Sequence, residues 1–196
     1  AIMQLIEAPN TYPTNADLFL GGGITNCPDW QADVVKMLEG TDLVVLNPRR
    51  SAAFTGDIAD EQIRWEYEAL RAVKTVLFWF PKETLCPITL FELGVFSQRK
   101  DTRLIVGTHP DYARRFDVQV QMELSRPEVI VHDSIEGMVS EYLSVLQADF
   151  LLEGYVQLAS DPEYREAAEK RKANRDKKSR IPRTVDELIQ DYQNRQ

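Results

Sequence analysis

The residue of this sequence best suited to chemistry is Glu92, a carboxylate inside an apolar helical pattern. Residues 76–80 (VLFWF) predict a buried β-strand, which ends at Pro81. Residues 87–94 (PITLFELG) then predict a helix with Glu92 in its first turns. In an open α/β sheet, ligands bind at the carboxyl ends of strands and the helix starts beside them. Because apolar neighbours partly desolvate a carboxylate placed there, we expect Glu92 to have a perturbed pKa and a functional role.

A glycine-rich segment follows the first predicted strand. Gly21, Gly22 and Gly23 would let the backbone approach a ligand closely. The pattern is neither G-x-G-x-x-G nor a P-loop, so it does not indicate a dinucleotide or triphosphate site. A ligand-contacting loop and a tight strand-to-helix turn remain equal alternatives for these glycines.

Polar residues also follow the second predicted strand, at the same edge of the sheet. An amide such as Asn47 can bind a base or a sugar hydroxyl, and Arg49 can hold a phosphate or carboxylate with two hydrogen bonds. The alternative is that both arginines of this segment are solvated, which fits Arg50 better than Arg49. The long loop that follows, residues 51–60, has the length of a lid or binding loop.

Apolar runs and helical patterns alternate along most of the chain, which predicts an α/β fold. We expect a three-layer, flavodoxin-like domain with a five-stranded parallel sheet between helices. The predicted strands are residues 17–20, 43–46, 76–80, 104–106 and 129–131. The predicted helices are residues 30–38, 61–72, 88–98, 112–124 and 135–146.

Composition narrows the class of partner. The chain has 196 residues, 43% of them hydrophobic, and a formal net charge of −8. This acidic balance argues against binding to nucleic acid or to a membrane surface. Two histidines and two cysteines, Cys27 and Cys86, have no metal-ligand spacing, so we expect no metal and no other cofactor. Few cysteines, a polar start and no long apolar run indicate a cytoplasmic protein.

The C-terminal part of the chain differs from the rest. We expect a domain over residues 1–147 and a charged helical extension over residues 148–196. The extension is interpreted as a tail that is solvated or packs on a partner, although its basic cluster at 170–178 could contact an anionic partner. Thr184, with Glu187 three residues later, predicts a helix N-cap.

Five segments in order resemble the nucleoside 2-deoxyribosyltransferase-like family, over roughly residues 5–140. Each motif alone is weak, and the ordered set is fairly specific to the family. The segments are residues 19–25 (FLGGGIT), 29–31 (DWQ), 46–50 (LNPRR), 65–70 (WEYEAL) and 87–94 (PITLFELG).

The resemblance implies an enzyme that cleaves the N-glycosidic bond of 2'-deoxynucleosides. In the family, the glutamate of the Glu-Leu-Gly motif, here Glu92, attacks C1' of the sugar, and deoxyribose then passes to another nucleobase. An acidic residue on the preceding helix, here Glu66, positions the nucleophile or the sugar. The resemblance further implies a homo-oligomer whose partners are small nucleosides, nucleotides and nucleobases. The expected substrate-binding residues are Gly21, Gly22, Gly23, Asn47, Arg49, Cys86 and Thr89.

Two positions depart from the transferase pattern. Cys86 stands where well-studied transferases have an aspartate that contacts the base, and Phe19 stands in place of a supporting tyrosine. Hydrolysis of a nucleoside or nucleoside 5'-monophosphate is therefore an alternative to transfer. A non-catalytic nucleotide-binding module is a further alternative.

Overall fold

The computed structural model of the chain describes residues 2–51 and 57–178, together with residues 186, 189, 190, 193 and 194. The chain divides into two compact units, Ala1–Ser144 and Val145–Gln196. In the described part of the chain, no helix is long and apolar enough to cross a membrane.

The first unit is built on a parallel sheet of six strands. The strands are Gln4–Glu7 (β1), Leu18–Gly22 (β2), Val44–Asn47 (β3), Thr75–Phe80 (β4), Arg103–Thr108 (β5) and Val131–His132 (β6). Their order across the sheet is β1-β3-β2-β4-β5-β6. Without β1, the remaining strands follow the flavodoxin-like order 2-1-3-4-5. The predicted flavodoxin-like α/β fold is therefore confirmed.

The expected count of five strands was wrong by one, because β1 was missed. β1 lies at the edge of the sheet, in parallel register with β3. At its two ends, the N–H of Gln4 donates to the carbonyl of Leu43 at 2.9 Å, and the N–H of Ala8 donates to that of Asn47 at 3.1 Å. The side chains of this edge strand are exposed or half-buried. It therefore lacks the continuous apolar run by which buried parallel strands are found.

The described residues form six helices. They are Trp30–Met37 (α1), Ala59–Ala72 (α2), Pro87–Ser97 (α3), Arg115–Ser125 (α4), Ile135–Ser160 (α5) and Pro162–Lys178 (α6). Each predicted helix is present. The largest difference is at α5, which continues past its predicted end at residue 146, since no proline interrupts it before Pro162.

Helices cover both faces of the sheet, as the three-layer prediction requires. On one face, strand residues such as Phe19 and Phe78 form a core with Trp65 of α2, Phe96 of α3 and Met122 of α4. On the other face, the backbone of Gly22 in β2 lies against Trp30 of α1, and that of Gly107 in β5 lies against Met138 of α5. All six residues of β4 are buried, which places this strand at the centre of the domain.

The chain changes direction across the sheet between β2 and β4. These strands are neighbours, but β2 leads through α1 to β3 on one side and β4 leads through α3 to β5 on the other. The connections after the two strands therefore separate and leave a crevice at the carboxyl edge. The glycine segment and Cys86 lie at this position.

The second unit contains the C-terminal part of α5 and the whole of α6. In α6, the Asp161 carboxylate accepts a hydrogen bond from the N–H of Tyr164 at 2.9 Å, and Lys170 pairs with Glu166 at 2.6 Å. Its side chains are exposed over residues 162–175. The prediction of a charged helical tail is confirmed over residues 162–178. The predicted N-cap at Thr184 and Glu187 lies outside the described residues.

Candidate active site

A cleft of about 590 Å³ lies between α2 and α3 and reaches the crevice at the carboxyl edge. The connections after β2 and β4 form one end, and the last turns of the two helices form the other. Six of the predicted site residues line it: Gly22, Gly23, Glu66, Cys86, Thr89 and Glu92.

Glu92 lies in the second turn of α3, one helical turn after the start of the helix. α3 begins at Pro87, whose fixed φ and missing N–H suit the first position of a helix. Burial, and to a smaller extent the neighbouring Glu66, raises the pKa of Glu92 to about 8, while Arg71 opposes the shift. Glu92 is thus a carboxyl group whose charge changes near neutral pH.

Glu66 enters the same cleft from α2. Its Oε1 accepts a hydrogen bond from Nε2 of Gln62, one turn earlier on the helix, at 3.1 Å. Burial raises the pKa of Glu66, whereas the hydrogen bond from Gln62 and the charge of Arg50 act in the opposite direction. Two half-buried carboxyl groups therefore share one cleft, and such a pair can supply an ionised nucleophile or base beside a second acidic group.

The connection after β2 is held in place by side chains from three directions. The carbonyl oxygen of Gly23 accepts from Nε1 of Trp30 at 2.9 Å, from Nε2 of Gln31 at 3.3 Å and from Nη2 of Arg49 at 3.5 Å. A Cβ on Gly22 would lie 2.3 Å from the carbonyl oxygen of Trp79 and 2.5 Å from the ring of Trp30. Glycine at position 22 therefore allows β2, β4 and α1 to approach closely.

Cys86 precedes α3 in a left-handed conformation, with φ of 50° and ψ of 55°. This conformation is uncommon for a residue with a side chain and is often found at functional sites. Burial, with a smaller effect from nearby Cys27, raises the pKa of the Cys86 thiol to about 11. The side chain at this position is therefore a neutral thiol at physiological pH, beside the buried Thr89.

Three predicted substrate-binding residues lie outside the lining of the cleft. Gly21 is in β2, and a Cβ there would meet the ring of Phe78 at 2.9 Å. Asn47 is buried, and its Oδ1 accepts from the N–H of Arg49 at 3.0 Å. Arg49 itself donates from Nε to Gln31 at 2.9 Å and from Nη2 to the carbonyl of Pro28 at 3.0 Å. Asn47 and Arg49 thus hold the connection after β2 in place through hydrogen bonds, and Gly21 packs within the sheet.

Sequence reasoning missed three residues of α2 that complete the site: Gln62, Tyr67 and Arg71. Tyr67 and Arg71 line the cleft, and the Arg71 guanidinium carbon lies 3.5 Å from the centroid of the Tyr67 ring. Gln62 and Glu66, like Tyr67 and Arg71, are four residues apart, which places each pair on one face of the helix. The four-residue spacing can be read from the sequence. The sequence does not show, however, which side of α2 faces α3.

The predicted lid cannot be described as a whole, because residues 52–56 of the loop 51–60 lie outside the described residues. At its start, the hydroxyl of Ser51 donates to the carboxylate of Glu7 in β1 at 2.6 Å. Among the residues that the structure describes, no three His, Cys, Asp or Glu side chains form a cluster that could hold a metal ion.

In flavodoxin-like domains the cleft at the switch point is where small molecules bind, and here this cleft holds a pair of carboxyl groups. The family model described as "Nucleoside 2-deoxyribosyltransferase like" matches residues 15–112. The chain therefore belongs to the nucleoside 2-deoxyribosyltransferase-like family, as the resemblance predicted. The matched stretch includes every residue that lines the cleft. No curated protein sequence matches the chain.

Proposed function

We propose that this protein cleaves the N-glycosidic bond of 2'-deoxynucleosides, with Glu92 as the nucleophile, and transfers deoxyribose to another nucleobase. The observation that carries the proposal is the half-buried pair of Glu92 and Glu66 in a cleft at the switch point. Membership of the family supports the same reaction.

The reaction has two steps. The bond between C1' and the base nitrogen breaks with its electrons on the base, and an oxygen of the Glu92 carboxylate bonds to C1'. The departing base takes up a proton from water. A nitrogen of the acceptor base then attacks C1', loses its own proton to water and releases the Glu92 carboxylate. In its ionised form, which the hydrogen bond from Gln62 favours against the effect of burial, Glu66 stabilises the positive charge that develops on the sugar in both steps.

The remaining cleft residues would bind the substrate. The backbone of Gly22 and Gly23 and the hydroxyl of Thr89 offer polar contacts at the end of the cleft near the crevice. Cys86, as a neutral thiol, can donate a hydrogen bond to a base nitrogen or oxygen but cannot accept as a carboxylate does. Gly21, Asn47 and Arg49 would contribute by keeping this part of the site in place.

The test incubates the protein with a 2'-deoxynucleoside, with and without a second free base, and separates the products by chromatography. A new nucleoside supports transfer, whereas free base and deoxyribose support hydrolysis. Glu92→Gln should reduce turnover by at least about 10³-fold, and Glu123→Gln, an exposed glutamate of α4, is the matched control. Normal turnover by Glu92→Gln would overturn the proposal.

One observation favours a second candidate, the hydrolysis of deoxynucleoside 5'-monophosphates. Arg71 carries the positive charge in the lining of the cleft, and its Nη1 donates to the carbonyl of Tyr67 at 3.0 Å. No carboxylate of the described residues lies within 4.0 Å of its guanidinium. The positive charge of Arg71 acts on Glu92, so a phosphate on a sugar bound at Glu92 would lie near the Arg71 guanidinium, which can hold it with two hydrogen bonds.

Arg71→Gln distinguishes the two substrates. If the substrate is a monophosphate, kcat/KM of this variant should fall for both substrates, and the fall for the monophosphate should be at least about tenfold larger than that for the nucleoside. Arg64→Gln is the control, because Arg64 is exposed on the same helix and pairs with Asp60 at 2.8 Å. Equal losses for both substrates would argue against a phosphate at Arg71.

The family resemblance also leads us to propose a homo-oligomer. Ile63, Ile88 and Phe91 line the cleft but are between 64% and 71% exposed, so they form an apolar rim. Sedimentation of the purified protein would test this, since a monomer at catalytic concentration contradicts it.

A further inference from the structure

The side-chain amide of Gln62 connects the cleft to the chain segment after β3. Its Nε2 donates to the carbonyl of Pro48 at 2.9 Å and to Oε1 of Glu66 at 3.1 Å. Its Oε1 accepts from Nε of Arg50 at 2.7 Å. One side chain of α2 thus joins the residues that follow β3 to a carboxylate of the candidate active site.

These contacts fix the direction of the amide. Arg50 can only donate hydrogen bonds, so the oxygen of the Gln62 amide must face the guanidinium. The NH₂ group must then face Pro48 and Glu66, which can both accept. A positive charge behind the amide oxygen polarises the N–H bonds that point at Glu66 and strengthens the hydrogen bond to an ionised carboxylate.

Glu66 needs such a partner because of its neighbour. The charged group that acts on Glu66 is Arg50, which follows β3, and those that act on Glu92 are Glu66 and Arg71 of α2. Two carboxylates in one cleft repel each other, and one of them can escape by taking up a proton or by rotating away. The hydrogen bond that Gln62 donates to Glu66 opposes both the protonation and the rotation of the Glu66 carboxylate.

We propose that Gln62 is a positioning residue for the reaction, which holds the Glu66 carboxylate ionised and directed into the cleft with Arg50 as its support. This inference rests on the proposed function, because the position of Glu66 matters to turnover only if the cleft cleaves nucleosides. It also makes the segment after β3, with Pro48 and Arg50, part of the machinery although neither residue lines the cleft.

A double-mutant cycle tests the inference. Gln62→Leu should lower kcat for a deoxynucleoside about tenfold, the effect of losing a hydrogen bond to a charged group, and should change KM less than about threefold. In the Glu66→Gln background, Gln62→Leu should change kcat less than about twofold, because the residue that Gln62 positions is already altered. Equal effects of Gln62→Leu in both backgrounds would overturn the proposal.

A second variant separates positioning from loss of packing. Gln62→Glu keeps the length of the side chain and can accept from Arg50, but an ionised carboxylate cannot donate to Glu66. It should therefore lower kcat at least as much as Gln62→Leu. Gln121→Leu, at an exposed position of α4, is the matched control and should leave kcat unchanged. Near-normal kcat in Gln62→Glu would contradict the proposal.

A titration by NMR measures the effect of the Gln62–Glu66 hydrogen bond without depending on turnover. In protein with ¹³C-labelled glutamate, the carboxyl signal of Glu66 is identified by its loss in Glu66→Gln. Gln62→Leu should raise the pKa of this signal, since the hydrogen bond from Gln62 lowers it. An unchanged titration would refute the inference while leaving the proposed function intact. An inactive wild-type protein would instead refute the proposed function.

Discussion

Glu66 raises the pKa of Glu92 across the cleft between α2 and α3, in addition to the larger effect of burial. The two residues are on different helices, 26 positions apart in the sequence, and meet because both helices cover the same face of the sheet. Their coupling gives the candidate site a pH dependence that can be measured.

The rate of cleavage should rise with pH, because an ionised Glu92 is the proposed nucleophile. With a pKa of about 8 for Glu92, kcat/KM should reach half of its plateau near pH 8. Glu66→Gln removes the neighbouring negative charge, so the midpoint should move to lower pH, while the plateau falls about tenfold. The measurement is kcat/KM for a deoxynucleoside between about pH 5.5 and 10. Glu68→Gln, an exposed glutamate of α2, should leave the midpoint in place.

Folding stability should also depend on the ionisation of Glu92. It should fall with rising pH, whereas the rate of cleavage rises. The pKa of Glu92 is about 8 in the folded state and near its ordinary 4.5 in the unfolded state, so the folded protein binds the proton more tightly. The free energy of unfolding should therefore fall as pH rises from about 4.5 to about 8, at about 1.4 kcal/mol per unit of pKa difference. Above pH 8 this contribution is constant.

The free energy of unfolding of the Glu92→Gln variant should change less with pH over this range than that of the wild-type protein, because a neutral amide does not titrate. Urea unfolding of both proteins at pH 5, 6.5 and 8, followed by tryptophan fluorescence, measures the difference. All three tryptophans, Trp30, Trp65 and Trp79, are buried in the first unit and report its unfolding. A stability difference between the two proteins that stays constant from pH 5 to pH 8 would contradict the burial of Glu92.

The position of Glu92 could be predicted because local signals there agree. The apolar run of β4, the break at Pro81 and the proline that starts α3 are each visible in the sequence, and together they fix the strand, the turn and the helix. β1 could not be found in the same way, because an edge strand does not need to be apolar on both faces.

The arginines show more clearly which site residues cannot be predicted from the sequence. A strand-end position made Arg49 a candidate for anion binding, yet Arg49 contacts Gln31, Gly23 and Pro28. Arg71 lies in the cleft although it is near the end of a helix, where the sequence offers no sign of a site. Which arginine faces a cleft depends on how α2 is rotated against α3, and this is decided by the packing of Trp65, Leu70 and Phe96.

Close packing at Gly22 should make this position intolerant of a side chain. In Gly22→Ala, the new methyl group would overlap the carbonyl oxygen of Trp79 and the ring of Trp30, so we expect a loss of at least about 1–3 kcal/mol of stability. Gly94→Ala is the control, because a Cβ at Gly94 of α3 meets no atom within 4 Å. It should stabilise the protein by up to about 1 kcal/mol through helix propensity. Urea unfolding followed by circular dichroism measures both, and equal stabilities would contradict the close approach of β2, β4 and α1.

Arg126 should stabilise the fold far more than an exposed arginine does. Its guanidinium is buried and donates to the carbonyls of Phe96 at 3.4 Å, Arg99 at 3.2 Å and Thr102 at 3.3 Å, which belong to the end of α3 and the turn after it. Arg126→Ala would remove all three of these buried hydrogen bonds at once, and we expect a cost of about 3 kcal/mol. Arg64→Ala removes an exposed arginine from an ion pair and should have little effect on stability. Because α3 carries Glu92, Arg126→Ala should also lower kcat at temperatures well below its melting point, measured with the same deoxynucleoside. Similar stabilities of the two variants would show that the contacts at the end of α3 do not hold it in place.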